Sequence, residues 1–225
     1  MIERSTLQRM LAEAIGTYGL VFAGTGAVTI NAETDGAVTH VGIGLTFGLI
    51  VMAMIYAVGH ISGAHINPAV TLAFAAARHF PLRLVPLYLV AQLAGAVLAS
   101  LTLRGMFGEV GLLGTTLPRG SDGQSLALEI VLTLFLMFVI MAVATDVRAV
   151  GQAAAIAIGG TVCLEALFAG PISGASMNPA RSLAPALVSW TWDSQWLYVV
   201  GPVAGAVAGA LVYSLIRDEP NGVSS

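Results

Sequence analysis

The sequence contains no lysine and few charged residues of any kind. Charged residues make up 9% of the chain, all nine basic residues are arginines, and the formal net charge is −3. Because no basic cluster is present, the chain lacks the electrostatic footprint of a nucleic-acid-binding protein. Hydrophobic residues make up 57% of the chain, which leaves too little polar surface to cover a soluble globule. The composition therefore predicts a protein embedded in a lipid bilayer.

Cysteine and the signatures of catalysis are also scarce. The single Cys163 cannot form an internal disulfide and has no metal-ligand spacing around it, so we expect it to pack as a small apolar residue. No serine-hydrolase, metalloprotease or phosphate-loop pattern is present. The segment Met1 to Arg9 is polar and lacks the features of a removable signal peptide. The sequence predicts no enzyme, no metal site and no cofactor, and it predicts that the first hydrophobic segment stays in place.

Six stretches are long and apolar enough to cross a bilayer, since a helix needs about 20 residues to span a hydrocarbon core of ~30 Å. They predict spans at Leu7–Ile30, Val38–Ile61, Leu84–Met106, Ser125–Thr145, Ala153–Gly170 and Trp196–Ile216. Six of the nine arginines lie on the cytoplasmic side if the N-terminus is cytoplasmic. We therefore expect both termini in the cytoplasm.

Two copies of one nine-residue stretch interrupt this hydrophobic sequence, at 62–70 and 173–181, and six of the nine positions are identical. Both copies contain Asn-Pro-Ala. Asparagine is a favoured N-cap, and proline is tolerated at the first helical position because no donor is needed there. Each copy therefore predicts the start of a short helix. The first is expected over Ala69–His79, with Arg78 and His79 in its last turn, at about half a bilayer thickness.

The duplication extends beyond this motif, since Glu13 and Glu129 hold corresponding places in the first and fourth spans. Each half contains three spans, an odd number, so the second copy must enter the membrane upside down relative to the first. We expect one channel domain over 1–225, with repeats at about 7–106 and 125–217. The expected fold is all-α, with six transmembrane helices and two half-helices whose N-termini meet near the midplane.

The residues at the two helix starts are candidates for the chemistry of a pore. If Asn67 and Asn178 cap through their side-chain oxygens, each amide NH2 is free to donate to a passing molecule, which would interrupt a proton wire. Arg181 lies in the first turn of the second half-helix, where the helix dipole disfavours a cation. An arginine within membrane sequence is usually functional, so we predict a hydrogen-bond donor at a constriction. A structural ion pair is the alternative.

Two intramembrane carboxylates allow two interpretations. Glu13 and Glu129 can each accept hydrogen bonds from the non-helical backbone before one asparagine, which predicts structural support. In the alternative, these residues and Glu165 carry protons in a coupled transporter. Glu165 has no acidic counterpart in the first half, and it could face the outer vestibule or bond a loop.

Together, the duplicated Asn-Pro-Ala motif, the following Arg181, the six spans and the internal duplication resemble the aquaporin or major intrinsic protein family. The resemblance covers Glu13 to Ile216, and the segments 59–65 and 168–181 are similar to its nodulin-26-like branch and bacterial relatives. It implies a passive channel in a membrane-embedded homotetramer, with one pore per subunit. The residues implied at the pore midplane are Asn67 and Asn178, with Pro68 and Pro179 supporting the pore loops.

The family resemblance also implies four residues at an outer selectivity constriction, namely Phe47, Ala166, Ala175 and Arg181. The two alanines remove bulk and a polar partner relative to a water-selective pattern. We therefore expect a channel for water and small uncharged solutes such as glycerol, urea, or arsenous, boric or silicic acid, which excludes protons and ions. A strictly water-selective pore is the closer alternative. Short termini and simple loops suggest a bacterial cytoplasmic membrane as the location.

Overall fold

Eight α-helices form most of residues 5–145 and 153–217, the parts of the chain that this computed structural model describes. Six are long and apolar enough to cross a membrane, and the other two contain 9 and 11 residues. This arrangement confirms the predicted all-α class with six spans and two half-helices. The helices are α1 (Thr6–Glu33), α2 (Thr39–Ser62), α3 (Pro68–Ala76), α4 (Val85–Phe107), α5 (Asp122–Thr145), α6 (Ala154–Ser173), α7 (Pro179–Ser189) and α8 (Leu197–Ile216).

The six predicted spans agree with the observed long helices to within three residues at every end. The first half-helix is shorter than predicted, because α3 ends at Ala76 and not at His79. Arg78 adopts a left-handed conformation with φ of 61°, and the His79 amide donates back to the Phe74 carbonyl at 2.8 Å. Such bonds close a helix C-terminus. Arg78 and His79 therefore follow the helix, and the prediction that they form its last turn is wrong.

The long helices pack in pairs through small residues. Helix α1 packs against α4, α5 packs against α8, and α2 packs against α6. A Cβ added at Gly95 would overlap the carbonyl group of Ala14, and one added at Gly205 would overlap that of Ile130. Glycine therefore permits the close backbone approach that small residues allow between membrane helices.

The two short helices connect the halves of the molecule. Helix α3 from the first half packs against α8, and α7 from the second half packs against α4. Because the two short helices also contact each other, they bring their N-terminal asparagines into the centre of the bundle. The candidate site is therefore built where the two halves meet.

Replacing Gly95 with alanine tests the close packing of α1 and α4. We expect Gly95→Ala to lower stability by about 1–3 kcal/mol, because the new methyl group overlaps backbone that cannot move away. Gly105→Ala in the same helix is the matched control, since its added Cβ meets no atom of a neighbouring helix within 4 Å. Thermal unfolding in detergent should show a lower Tm for Gly95→Ala only. Equal Tm values for both variants would contradict the packing described.

Candidate functional site

The segments 63–67 and 174–178 lead from the long helices into the short ones with the same unusual backbone. Gly63 and Gly174 have φ of 91° and 87°. Ile66 and Met177 are also left-handed, with φ of 43° and 53°. A bulky residue with positive φ is strained and persists only where its surroundings hold it. The contacts that hold these two segments, here called the pore loops, are therefore central to the site.

Glu13 holds the first pore loop. Its carboxylate accepts hydrogen bonds from the backbone amides of His65 and Ile66, at 2.9 and 2.7 Å, and from the Ser62 hydroxyl at 2.6 Å. The Gln92 amide also donates to it, at 2.8 Å. Glu13 is fully buried. These bonds satisfy two loop amides that belong to no helix, and they occupy both carboxylate oxygens.

Glu129 makes the same contacts with the second pore loop. It accepts from the amides of Ser176 and Met177, at 2.9 and 2.8 Å, and from the Ser173 hydroxyl at 2.7 Å. It is also fully buried. In place of Gln92 the second half has Pro202, which lacks a side-chain donor. The two carboxylates therefore have the same role, and Glu13 accepts one additional hydrogen bond, from Gln92.

Two tyrosines that the sequence analysis missed complete the support of the pore loops. Tyr88 donates to the carbonyl of Ser62 at 2.7 Å, and Tyr198 donates to that of Ser173 at 2.6 Å. They satisfy carbonyl groups at the ends of α2 and α6, which have no partner within the helix. Their spacing of 110 residues is close to the 111-residue spacing of the repeated motif. This spacing is the sequence signal from which the two tyrosines could have been identified as a repeated pair.

The asparagine caps that the sequence predicts are present. Asn67 Oδ1 accepts from the Ala69 amide at 2.9 Å, and Asn178 Oδ1 accepts from the Ala180 amide at 3.0 Å. Pro68 and Pro179 occupy the first position of their helices. Both helix N-termini therefore point their unpaired backbone amides towards the centre of the bundle.

The asparagine amides are not wholly free, which corrects the sequence-based expectation. Asn67 Nδ2 donates to the Met177 carbonyl at 2.7 Å, and Asn178 Nδ2 donates to the Ile66 carbonyl at 2.9 Å. Each asparagine thus bonds the opposite pore loop. Because an amide NH2 group carries two hydrogens, one N–H on each asparagine remains for another acceptor.

A cavity of about 820 Å³ is lined by both asparagines and by all four predicted constriction residues. Phe47, Ala166, Ala175 and Arg181 all line it, although they come from α2, α6, the second pore loop and α7. The larger aliphatic residues among the remaining lining include Leu20, Val51, Ile55, Val70, Leu136, Ile140, Ile158 and Val162. The cavity is therefore an apolar passage with a few polar groups.

Arg181 is held on one side of this cavity. Its Nη1 donates to the Gly114 carbonyl at 2.7 Å, and its guanidinium carbon lies 4.9 Å from the centre of the Phe47 ring. Within residues 5–145 and 153–217 the one ion pair joins Arg104 and Glu109. No carboxylate in this part of the chain therefore forms the structural ion pair with Arg181 that was the alternative. The guanidinium has donors left for the cavity. Sequence reasoning missed Gly114, which lies in a connection without a helical or repeated pattern.

Glu165 does not line the cavity, and its carboxyl group makes no bond to a loop among the described residues. It is 4% exposed. Two histidines do line the cavity, His60 from the last turns of α2 and His65 from the first pore loop. No cluster of three potential metal-ligating side chains occurs among the residues described.

Comparisons with known proteins agree with this architecture. The family model described as "Major intrinsic protein" matches residues 1–213. Aquaporin NIP1-1 of Oryza sativa subsp. japonica is 59% identical over 212 residues, which cover 94% of this chain and 75% of that protein. The probable aquaporin NIP-type of Nicotiana alata is 56% identical over 218 residues, or 95% of this chain and 80% of that protein.

A similar fold occurs in the solved structure of the aquaglyceroporin from Plasmodium falciparum. The TM-score is 0.86 at 25% sequence identity, and the match covers 94% of this chain and 97% of that one. The overall fold is thus shared over nearly the whole length of both chains.

Replacing Glu129 with glutamine tests the support of the second pore loop. Glutamine has one oxygen, so its NH2 group would face the Met177 amide or the donors of Ser173 and Ser176. A buried donor without an acceptor costs about 1–3 kcal/mol. We expect Glu129→Gln to lower the Tm in detergent and to reduce water permeability in proteoliposomes. Glu33→Gln, at an exposed site, is the control and should change neither. Unchanged Tm and permeability in Glu129→Gln would show that Glu129 does not hold the second pore loop.

Proposed function

The chain belongs to the major intrinsic protein family, and on that premise we propose that its cavity is a passive pore for water and small uncharged solutes. The named relatives are aquaporins, and the similar solved structure is an aquaglyceroporin. The protein is a channel and not an enzyme. The observation that carries the solute range is the set of side chains around Arg181.

The proposed selectivity constriction consists of Phe47, Ala166, Ala175 and Arg181. This set combines one aromatic ring, one guanidinium group and two methyl groups, so it has a single strong donor and no bulky side chain from α6. A polyol or a neutral hydroxide can place its carbon or metalloid centre against the apolar side and its hydroxyl groups towards Arg181. Glycerol, urea and arsenous, boric or silicic acid all match this chemistry.

Protons and cations are proposed to be excluded by three positive features along the same path. Each asparagine retains one amide N–H for a passing water molecule, so that both donors orient its hydrogens away from the pair. The N-termini of α3 and α7 add positive helix ends at the same place. Arg181, which lines the same cavity, adds a full positive charge.

The contacts of the two glutamates argue against the proton-coupled transporter. Glu13 and Glu129 use both carboxylate oxygens to hold the pore loops. Protonation would turn one acceptor into a donor and release part of a loop. Neither glutamate lines the cavity, so we propose that both are structural.

We further propose the assembly and the location of the channel. The protein has six spans, and a homotetramer with one pore per subunit, surrounded by membrane lipids, fits the exposed apolar faces of its helices. The arginine distribution supports cytoplasmic termini, and we propose the plasma membrane as the location. The named relatives are plant proteins, which gives no support to a bacterial membrane. Residues 7–106 and 125–217 are proposed as the inverted repeats of one domain.

Swelling of proteoliposomes across a solute series tests the proposed solute range. We expect the wild-type protein to pass water, glycerol and arsenous acid. Ala166→His adds a ring to the constriction and should reduce glycerol and arsenous acid permeability roughly tenfold, a barrier increase of about 1.4 kcal/mol, while water still passes.

Ala166→Val separates the effects of bulk and polarity, since it adds methyl groups without a polar atom. It should produce a smaller loss of glycerol permeability than Ala166→His. A wild-type protein that passes water but neither glycerol nor arsenous acid would support the strictly water-selective alternative. Solute uptake against a gradient, driven by a pH difference, would support the transporter.

A further inference from the structure

Among the described residues, one end of the helix bundle is basic, and the other end carries more acidic than basic side chains. One end, here called the basic end, is where α1 and α4 begin and α8 ends. Its described acidic and basic side chains are arginines and histidines, apart from the buried Glu13. The arginines are Arg9, Arg78, Arg83 and Arg217. The described acidic residues of the other end are Glu33, Asp35, Glu109, Asp122 and Asp193.

A groove opens at the basic end, directly after α3. It has a volume of about 480 Å³, and it is lined by residues of the segment 75–82. Arg78 and His79 supply its polar side, and Phe80, Pro81 and Leu82 supply its apolar side. Leu82 is 74% exposed. The groove thus combines positive charge with an exposed aliphatic side chain.

The backbone fixes the polar side of this groove. The left-handed conformation of Arg78 and the bond from the His79 amide to the Phe74 carbonyl turn the chain sharply at the end of α3. Both side chains are exposed after this turn. Since the C-terminus of a helix favours cations, the turn keeps positive charge at a place where the helix dipole stabilises it.

The end of α8 adds a further cation beside the groove. Partial burial, and secondly the positive charge of Arg217, lower the pKa of His79 below its usual value. Helix α3 packs against α8, and Arg217 directly follows the C-terminus of α8, which places Arg217 at the same end of the bundle as the groove. No described acidic side chain forms an ion pair with Arg78, Arg83 or Arg217. The positive field at the groove is therefore not neutralised by the described part of the chain.

We propose that this groove binds the headgroup of an anionic phospholipid, with the phosphate between Arg78 and Arg217 and an acyl chain along Leu82. Arginine pairs well with phosphate oxygens. The ends of the long helices lie at the level of lipid headgroups, where basic residues attract anionic lipids. The proposal depends on the membrane placement given above but not on the solute range.

Lipid fits the groove better than free phosphate, because free phosphate makes no use of the apolar side. The exposed Leu82 and the adjoining Pro81 line the groove together with the charged groups. An exposed leucine beside arginines at the end of a membrane helix is suited to a molecule that is charged at one end and aliphatic along its length. A diacyl phospholipid has this form.

Titration of the purified channel with phosphatidylglycerol and with phosphatidylcholine, followed by native mass spectrometry, tests the site. The wild-type protein should bind phosphatidylglycerol more tightly. Each arginine near an anionic surface contributes roughly fivefold in affinity, so Arg78→Gln combined with Arg217→Gln should weaken phosphatidylglycerol binding by roughly 25-fold. Phosphatidylcholine binding should change little. Wild-type affinity in the double variant would overturn the proposal.

Two further variants sharpen this experiment. Arg119→Gln removes an exposed arginine from the opposite end and should leave phosphatidylglycerol binding unchanged. An equal loss there would mean that net charge, and not the groove, determines binding. Leu82→Ser should also weaken phosphatidylglycerol binding. Unchanged binding would contradict the acyl-chain contact and would mean that the groove recognises the phosphate group only.

Water permeability of each variant shows separately whether the pore is intact. The double variant should keep wild-type water permeability, since neither arginine lines the cavity. Loss of lipid binding with intact permeability supports the lipid site. Loss of solute permeability with intact lipid binding would count against the proposed function only.

Discussion

The structure depends on satisfying backbone polar groups in the middle of the bundle, at the depth of a hydrocarbon core. Lipid offers no hydrogen bonds, so non-helical backbone at this depth must find partners within the protein or in a water-filled cavity. The two pore loops find them in Glu13 and Glu129, which accept from four loop amides, and in two tyrosines that bond the carbonyls at the helix ends. These buried carboxylates are therefore conditions for the site to exist.

The reciprocal bonds of the asparagines connect this local support to the whole molecule. Each pore loop is held by a glutamate of its own half and is bonded by the asparagine of the other half. A displacement of one loop therefore disturbs the other. Ala175 lies within the second loop and Arg181 in the first turn after it, so the geometry of the proposed constriction follows from the same contacts.

Much of this could be predicted from sequence, because the deciding signals are local or duplicated. Hydropathy alone located the six spans, and Asn-Pro identified both caps. The duplication suggested that Glu13 and Glu129 accept from the loops. The bonds from each asparagine to the opposite loop could not be predicted. They join residues that are about 110 positions apart in the sequence and meet only in the folded structure. The end of α3 was missed because Arg78 gives no sequence signal for a left-handed turn.

Hydrogen exchange of individual backbone amides, measured in proteoliposomes, tests the central claim most directly. The amides of His65, Ile66, Ser176 and Met177 belong to no helix and lie beside a cavity open to water. If the glutamates hold them, these amides should exchange as slowly as amides in the middle of α1 and α5. Rapid exchange, like that of exposed connections between the helices, would show that the carboxylates do not hold the pore loops and would contradict the account.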